Sequence, residues 1–374
     1  MKTFFLLLAC LLVMTNRAFC NYVDDGDLKL KNGDYNGAIS DYTKAIEQEP
    51  NNATAYNNRA AAKHDKGDLA GSIADCAKAI ELRPDYAGAY GNRGNAESDK
   101  GNLDDAIADF TKAIELKPDD AKSYYNRGNT KCDKGDLDGA LKDLTRAIEL
   151  KPNEASAYYN RGYVKQQKDD LDGALADFTK AIELKPDHVS AYINRSILKG
   201  AKGDLDGALA DCNKAIELNP NDGDAYYNRG HVKETKGDID GAAADYTKAI
   251  ELRPEDAIAY YNRGHAKKAK GDLDGATADY TKAIELKPSY ANAYNNRGIA
   301  KKLKGDLDGA MADYTKAIEF KPDNASAYYN RGIAKKTKKD YEGALADFKK
   351  VLELQPGDSR SKTNIEELER ITPH

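Results

Sequence analysis

The sequence predicts an all-α solenoid built from antiparallel helix pairs. Three observations lead there. Ten of the eleven prolines (Pro50, Pro84, Pro118, Pro152, Pro186, Pro220, Pro254, Pro288, Pro322 and Pro356) stand 34 residues apart. The hexapeptide AYYNRG at 157–162 returns at 225–230, 259–264 and 327–332, with close variants at the same place in other units. Within a unit, two stretches of helical apolar periodicity flank a turn signal such as Gly203-Asp204 or Gly271-Asp272. Self-similarity at this period means a quasi-linear array in which each unit packs on its neighbours.

The elements follow in order. Residues 1–20 combine Lys2, the apolar run Phe4–Met14 and the small-residue pattern Ala18-Phe19-Cys20. That run is shorter than the ~20 apolar residues a bilayer span needs. The segment reads as a secretory signal peptide cut after Cys20, so the protein is expected to be exported, periplasmic or secreted. Lipid anchoring at Cys20 or Cys10 is the weaker reading of the same segment. Residues 21–358 hold ten repeats. In the unit Ala155–His188, taken as positions 1–34, the pattern predicts one helix over Ala155–Lys168 and a second over Leu171–Leu184. The Gly before the turn suits a left-handed stop, the Asp suits an N-cap, and Pro186 ends the second helix. Ala174, Phe178, Ala181 and Ile182 form one apolar stripe at spacings of three and four, faced by Tyr158 and Gly162. Residues 359–374 place Ile365, Leu368 and Ile371 at spacing three and read as a solvating C-terminal cap helix.

The residues Tyr158, Gly162, Ala174, Phe178, Ala181 and Pro186, and their equivalents, resemble the tetratricopeptide repeat (TPR) pattern over 21–358. The resemblance implies a right-handed superhelical solenoid whose first helices line a concave groove. It also implies a protein or extended peptide as partner. The sequence departs from that pattern where Arg stands at position 7 (Arg59 to Arg331) and Lys at position 11, as in Lys165 and Lys267. Both fall on the face toward the second helix, where a cation needs compensation. Every unit carries an Asp at position 23, so Arg161, Lys165 and Asp177 are expected to form one rung of a repeated series.

Position 6 points to the other face. Asn58, Asn92, Asn126, Asn160, Asn194, Asn228, Asn262, Asn296 and Asn330 form a predicted line along the groove. An amide offers donors and an acceptor together and can pair with any peptide backbone. The line resembles the asparagine ladder in the repeat domain of O-linked N-acetylglucosamine transferases. Local bonding between helices is the other reading. Tyr125, Tyr159, Tyr227, Tyr261 and Tyr329 flank the line, either as groove surface or as packing between first helices. At position 12, Lys268, Lys302 and Lys336 make the C-terminal repeats basic and suit an acidic peptide segment.

The formal charge of −5 does not favour nucleic acid as partner. Cys76 and Cys212 sit where other units carry Phe or Tyr and are expected to be buried substitutes. No phosphate loop, nucleophile elbow or metal-ligand spacing occurs, so no enzyme activity, cofactor or metal is expected. His231 and His265 share position 9 without a carboxylate at ligand spacing in sequence. The reading is an exported, non-catalytic protein- or peptide-binding scaffold. The alternative is a substrate-recruiting or regulatory subunit of a separately encoded enzyme.

Overall fold

The computed structural model describes residues 22–371. The predicted signal peptide, with Cys10 and Cys20, lies outside the described residues. The chain divides after Pro186 into two compact units. The first holds a helix over 22–31 with Tyr35–Gln48, then Ala53–Asp65 with Leu69–Leu82, Ala87–Asp99 with Leu103–Leu116, Ala121–Lys134 with Leu137–Leu150, and Ala155–Gln167 with Leu171–Leu184. The second holds Val189–Ala201 with Leu205–Leu218, Gly223–Thr235 with Ile239–Leu252, Ala257–Ala269 with Leu273–Leu286, Ala291–Leu303 with Leu307–Phe320, and Ala325–Thr337 with Tyr341–Leu354, followed by Ser359–Ile371. Among the described residues there is no strand. Within each unit a first helix packs on its own second helix and on the second helix of the preceding pair.

Local chemistry sets the boundaries. Gly135 takes the left-handed φ of 87° that stops a first helix. Asp169 and Lys339 are forced into the same conformation at φ 63° and 65°, without glycine's freedom. The Asp170 side chain then accepts the Gly173 N–H at 2.9 Å and caps the second helix. That helix ends at Lys185, whose extended backbone (φ −137°, ψ 89°) is the conformation a following proline demands.

Packing between the paired helices turns on one contact. A Cβ on Gly162 would lie 2.9 Å from Phe178 Cε1, and one on Gly230 2.9 Å from Tyr246 Cε1. Only a bare backbone admits the aromatic ring. Each such ring is fully buried, which stabilises by about 2–3 kcal/mol. Where Cys76 and Cys212 replace the ring, the facing residue is Ala60 or Ser196, so small and large exchange places across the contact. Both cysteines are buried as expected, and burial pushes the Cys76 thiol up to about 12. In the last helix Leu368 is buried against Ala344 and Phe348 with Ile365 beside it, whereas Ile371 is exposed.

The expected polar rung is present. Arg161 donates to both Asp177 oxygens at 2.8 and 2.7 Å, and Lys165 reaches Asp177 Oδ2 at 2.8 Å. Arg127 shows the full pattern. It donates to Asp143 at 2.8 and 2.7 Å and to Thr111 of the preceding pair at 3.0 Å, and it lies 5.6 Å from the Tyr124 ring. One guanidinium thus ties both helices of a pair to the pair before. Asp143 is 2% exposed. Burial alone would raise its pKa, but the hydrogen bonds from Arg127 and Lys131 outweigh it and hold the carboxyl below the usual range. Two rungs differ. Glu97 replaces the lysine beside Arg93–Asp109, and in the first pair Asp25 replaces the arginine, leaving Asp41 to Lys29 and Lys44.

Candidate functional site

The position-6 asparagines sit half-buried on the first helices, and seven of them bond to the pair before. In the first unit Asn58 donates to Asp27 at 2.9 Å, Asn92 to Asn57 at 3.0 Å and Asn126 to Asn95 at 2.7 Å. Asn160 donates to both the Tyr125 hydroxyl at 2.9 Å and Asn129 at 2.8 Å. In the second unit Asn262 donates to Tyr227 at 2.9 Å, Asn296 to Tyr261 at 2.6 Å and Asn330 to Asn295 at 3.1 Å. Asn194 is half-buried on the same face. The amide nitrogens therefore join successive first helices. What they leave for a ligand is chiefly the amide oxygen, an acceptor, except at Asn58 and Asn296, whose oxygens already accept from Asn57 and Lys268. Asn228 differs. The two places that supply the acceptor elsewhere carry Ile193 and Ile197. Asn228 instead lines a cavity of about 360 Å³ with Ile197, Leu205, Tyr227 and His231.

The flanking tyrosines have a double role that sequence left open. Their rings pack on the buried ring of their own pair: Tyr159 on Phe178 at 5.7 Å, Tyr227 on Tyr246 at 5.8 Å, Tyr261 on Tyr280 at 5.8 Å and Tyr329 on Phe348 at 5.7 Å. The hydroxyls of Tyr125, Tyr227 and Tyr261 accept from the next asparagine. Burial raises the pKa of Tyr227 and Tyr261, so both stay neutral acceptors at physiological pH. Tyr125 and Asn126 also line a second cavity of about 300 Å³ in the first unit.

The three predicted lysines are not equivalent. Lys336 donates to Asn364 at 2.9 Å and to Glu367 at 2.6 Å, both on the last helix. Lys268 donates to Asn296 at 3.2 Å and, with no carboxylate beside it, has its pKa lowered by burial. Lys302 is half-buried and makes no salt bridge among the described residues. Sequence reasoning also missed one network. Glu234 binds His265 Nδ1 at 2.7 Å and accepts from the Tyr246 hydroxyl at 2.7 Å. The carboxylate that seemed to be lacking beside His265 comes from the preceding pair. Burial would raise Glu234, but these two bonds hold it below the ordinary carboxylate range. Among the described residues no three His, Cys, Asp or Glu side chains group to hold a metal.

A family profile described as TPR repeat matches residues 26–67, 94–131, 128–169, 201–237, 235–271, 264–305 and 300–339, more than half of the chain. Profiles described as Tetratricopeptide repeat match 155–188, 325–358 and 53–86. The chain belongs to the tetratricopeptide repeat family. Among solved structures, this TPR chain is similar to a tetratricopeptide repeat protein from Parabacteroides merdae. The identity is 24%, with 66% of this chain and 98% of that one covered and a TM-score of 0.51. It is also similar to YrrB, described as a TPR protein with an unusual peptide-binding site. Here the identity is 28%, with 50% of this chain and 97% of that one covered and a TM-score of 0.44. MamA shows 29% identity over 44% of this chain and 96% of its own, with a TM-score of 0.41. No curated protein matches the TPR chain. The likeness to the Parabacteroides protein concerns the fold alone. Membership in the family makes the array a protein–protein interaction scaffold, and among the described residues no helix is long and apolar enough to cross a membrane.

Proposed function

We propose that the protein is an exported, non-catalytic scaffold that holds an extended peptide segment of a partner protein against its first-helix face. The observation that carries this reading is the contrast between the two faces. On the outer face of the second helices, charges neutralise each other within one turn, as in Lys78–Glu81, Lys180–Glu183 and Lys282–Glu285. The first-helix face instead presents amide oxygens, tyrosine edges and two lysines, Lys268 and Lys302, that make no salt bridge among the described residues. A row of acceptors suits the N–H groups of an extended backbone whatever its side chains. Export rests on the pattern of residues 1–20.

Asn228 gives the cleanest test, because its amide is not holding two pairs together. The full chain, expressed with its leader in a host that secretes, should be recovered outside the cytoplasm with Asn21 as its first residue. Partner captured from the native compartment should be lost or weakened about tenfold by Asn228→Ala, the scale of one buried hydrogen bond to a ligand. The thermal midpoint should stay unchanged. Equal capture by Asn228→Ala and wild type would remove the asparagine line from the binding surface. A chain retained in the cytoplasm with residues 1–20 intact would remove export.

A further inference from the structure

Four buried tyrosines stand at the ring position of the repeat, and their hydroxyls have different fates. The Tyr42 hydroxyl donates to Asp27 at 2.6 Å, and that of Tyr246 donates to Glu234 at 2.7 Å. Both acceptors are carboxylates on the first helix of the same pair. The hydroxyls of Tyr280 and Tyr314 are equally buried and find no partner among the described residues. A buried hydroxyl without an acceptor is destabilising, because its lost hydration is not replaced. The places that hold the carboxylate elsewhere carry His265 and Lys268 beside Tyr280, and Ile299 and Lys302 beside Tyr314.

The last pair shows what such a lysine binds. Lys336 donates to the amide oxygen of Asn364 and to the carboxylate of Glu367 on the last helix. Lys268 makes the equivalent bond to Asn296, 28 residues on in both cases. The counterpart of Glu367 is missing. Glu367 lies 31 residues beyond Lys336, and 31 beyond Lys268 and Lys302 stand Ile299 and Ile333. Lys268 is therefore a partly desolvated ammonium whose amide partner is in place and whose acid is not.

We propose that Lys268 with Tyr280, and Lys302 with Tyr314, form two neighbouring carboxylate seats that take acidic side chains of an extended partner peptide. This rests on the scaffold reading above and specifies its ligand. An incoming carboxylate fills the place of Glu367 at the ammonium and that of Glu234 at the hydroxyl. It therefore relieves two unpaired groups in one step. The ammonium is carried on a flexible four-carbon stem that can follow the incoming carboxylate. Packed helices lie about 10 Å apart. Three residues of polyproline II rise about 9 Å and return to the same face. The matching peptide has an acidic residue at every third position.

The test uses the full chain and three labelled peptides: four Glu-Pro-Pro triplets, four Gln-Pro-Pro triplets, and a Glu-Pro alternation of equal length. Anisotropy should show the Glu-Pro-Pro peptide binding at least tenfold more tightly than the other two. Tyr280→Phe with Tyr314→Phe should weaken it about tenfold or more, as should Lys268→Gln with Lys302→Gln. Lys282→Gln with Lys316→Gln, on the second helices, should change it less than about twofold. Phenylalanine is the natural occupant at Phe110, Phe178 and Phe348, so the tyrosine variant keeps the packing and its thermal midpoint should not fall. Unchanged affinity in the tyrosine variant overturns the proposal. So does a lowered midpoint, which would mean that the hydroxyls are already partnered. Equal binding of the glutamate and glutamine triplets overturns the seats while leaving the first-helix face as a peptide surface. Failure of every peptide to bind overturns the seats, and the Asn228→Ala experiment with native partner then decides the scaffold separately.

Discussion

Arg127→Ala tests whether the polar rungs are structural. In the native state Arg127 makes two charge-assisted bonds to Asp143 and one bond to Thr111, and Asp143 is 2% exposed. Removing one partner of a buried ion pair costs about 3–5 kcal/mol, chiefly because the other charge stays buried. Lys131 remains at 2.7 Å from Asp143 and offsets part of this. The expected loss is therefore near the lower end, about 3 kcal/mol, or roughly two powers of ten in the local folding constant. Lys134→Ala removes an exposed pair with Asp104 and should cost no more than about 0.5 kcal/mol. Urea unfolding of both variants gives the totals. Native-state hydrogen exchange should place the Arg127→Ala loss in the helices Ala121–Lys134 and Leu137–Leu150 and the pair before, since repeats couple to their neighbours. The sign with pH is fixed as well. The Asp143 pKa is depressed on folding, so the rung's contribution is complete above the unfolded value near 3.9 and fades as pH falls through the folded value. The gap between wild type and Arg127→Ala should narrow in that acid range. A loss under about 1 kcal/mol, or one equal to that of Lys134→Ala, would refute a structural rung.

Two further outcomes follow from backbone and packing. Asp169→Gly should stabilise by about 1 kcal/mol in urea unfolding, because glycine relieves the left-handed strain at φ 63°. Gly162→Ala should cost about 1–3 kcal/mol by driving a Cβ to within 2.9 Å of Phe178; combined with Phe178→Cys, which recreates the Ala60–Cys76 pairing, the loss should be smaller than the sum of the two single losses.

The repeat length, the helix pairs, the turn glycines and the N-caps were legible because each depends on residues close in sequence. The rung of Arg161, Lys165 and Asp177 was legible too, because a cation on a buried face demands an anion and the unit carries one candidate. Relations between pairs were not. Nothing local says that Asn160 turns its nitrogen to Tyr125 and Asn129, or that Lys336 meets Glu367. Those partners lie 28 to 35 residues away and depend on how one first helix stands beside the next. A spacing of one period plus or minus a few residues is the signal that could have found them. Applied to Glu234 and His265, 31 residues apart, it would have paired the carboxylate with the imidazole.

The same distinction separates what the units share from what each has made its own. Arg at position 7 and Asp at position 23 scarcely vary within this chain, because each is fixed by a contact inside the array. Positions 9 and 12 of the first helix vary widely. Position 9 runs from Asp27 through Asn129, Tyr163 and Ile197 to His265 and Ile333, and position 12 from His64 through Gln166, Gly200 and Glu234 to Lys302. These positions decide whether a buried tyrosine hydroxyl or a half-buried lysine finds its acid within the protein. Tyr246 does, through Glu234, and Lys336 does, through Glu367; the two pairs between them do not. In an array whose framework is repeated almost unchanged, specificity can reside only in residues the framework does not fix. On the reading proposed above, discrimination between partners falls to the variable first-helix positions of residues 257–324, beside the unpaired hydroxyls.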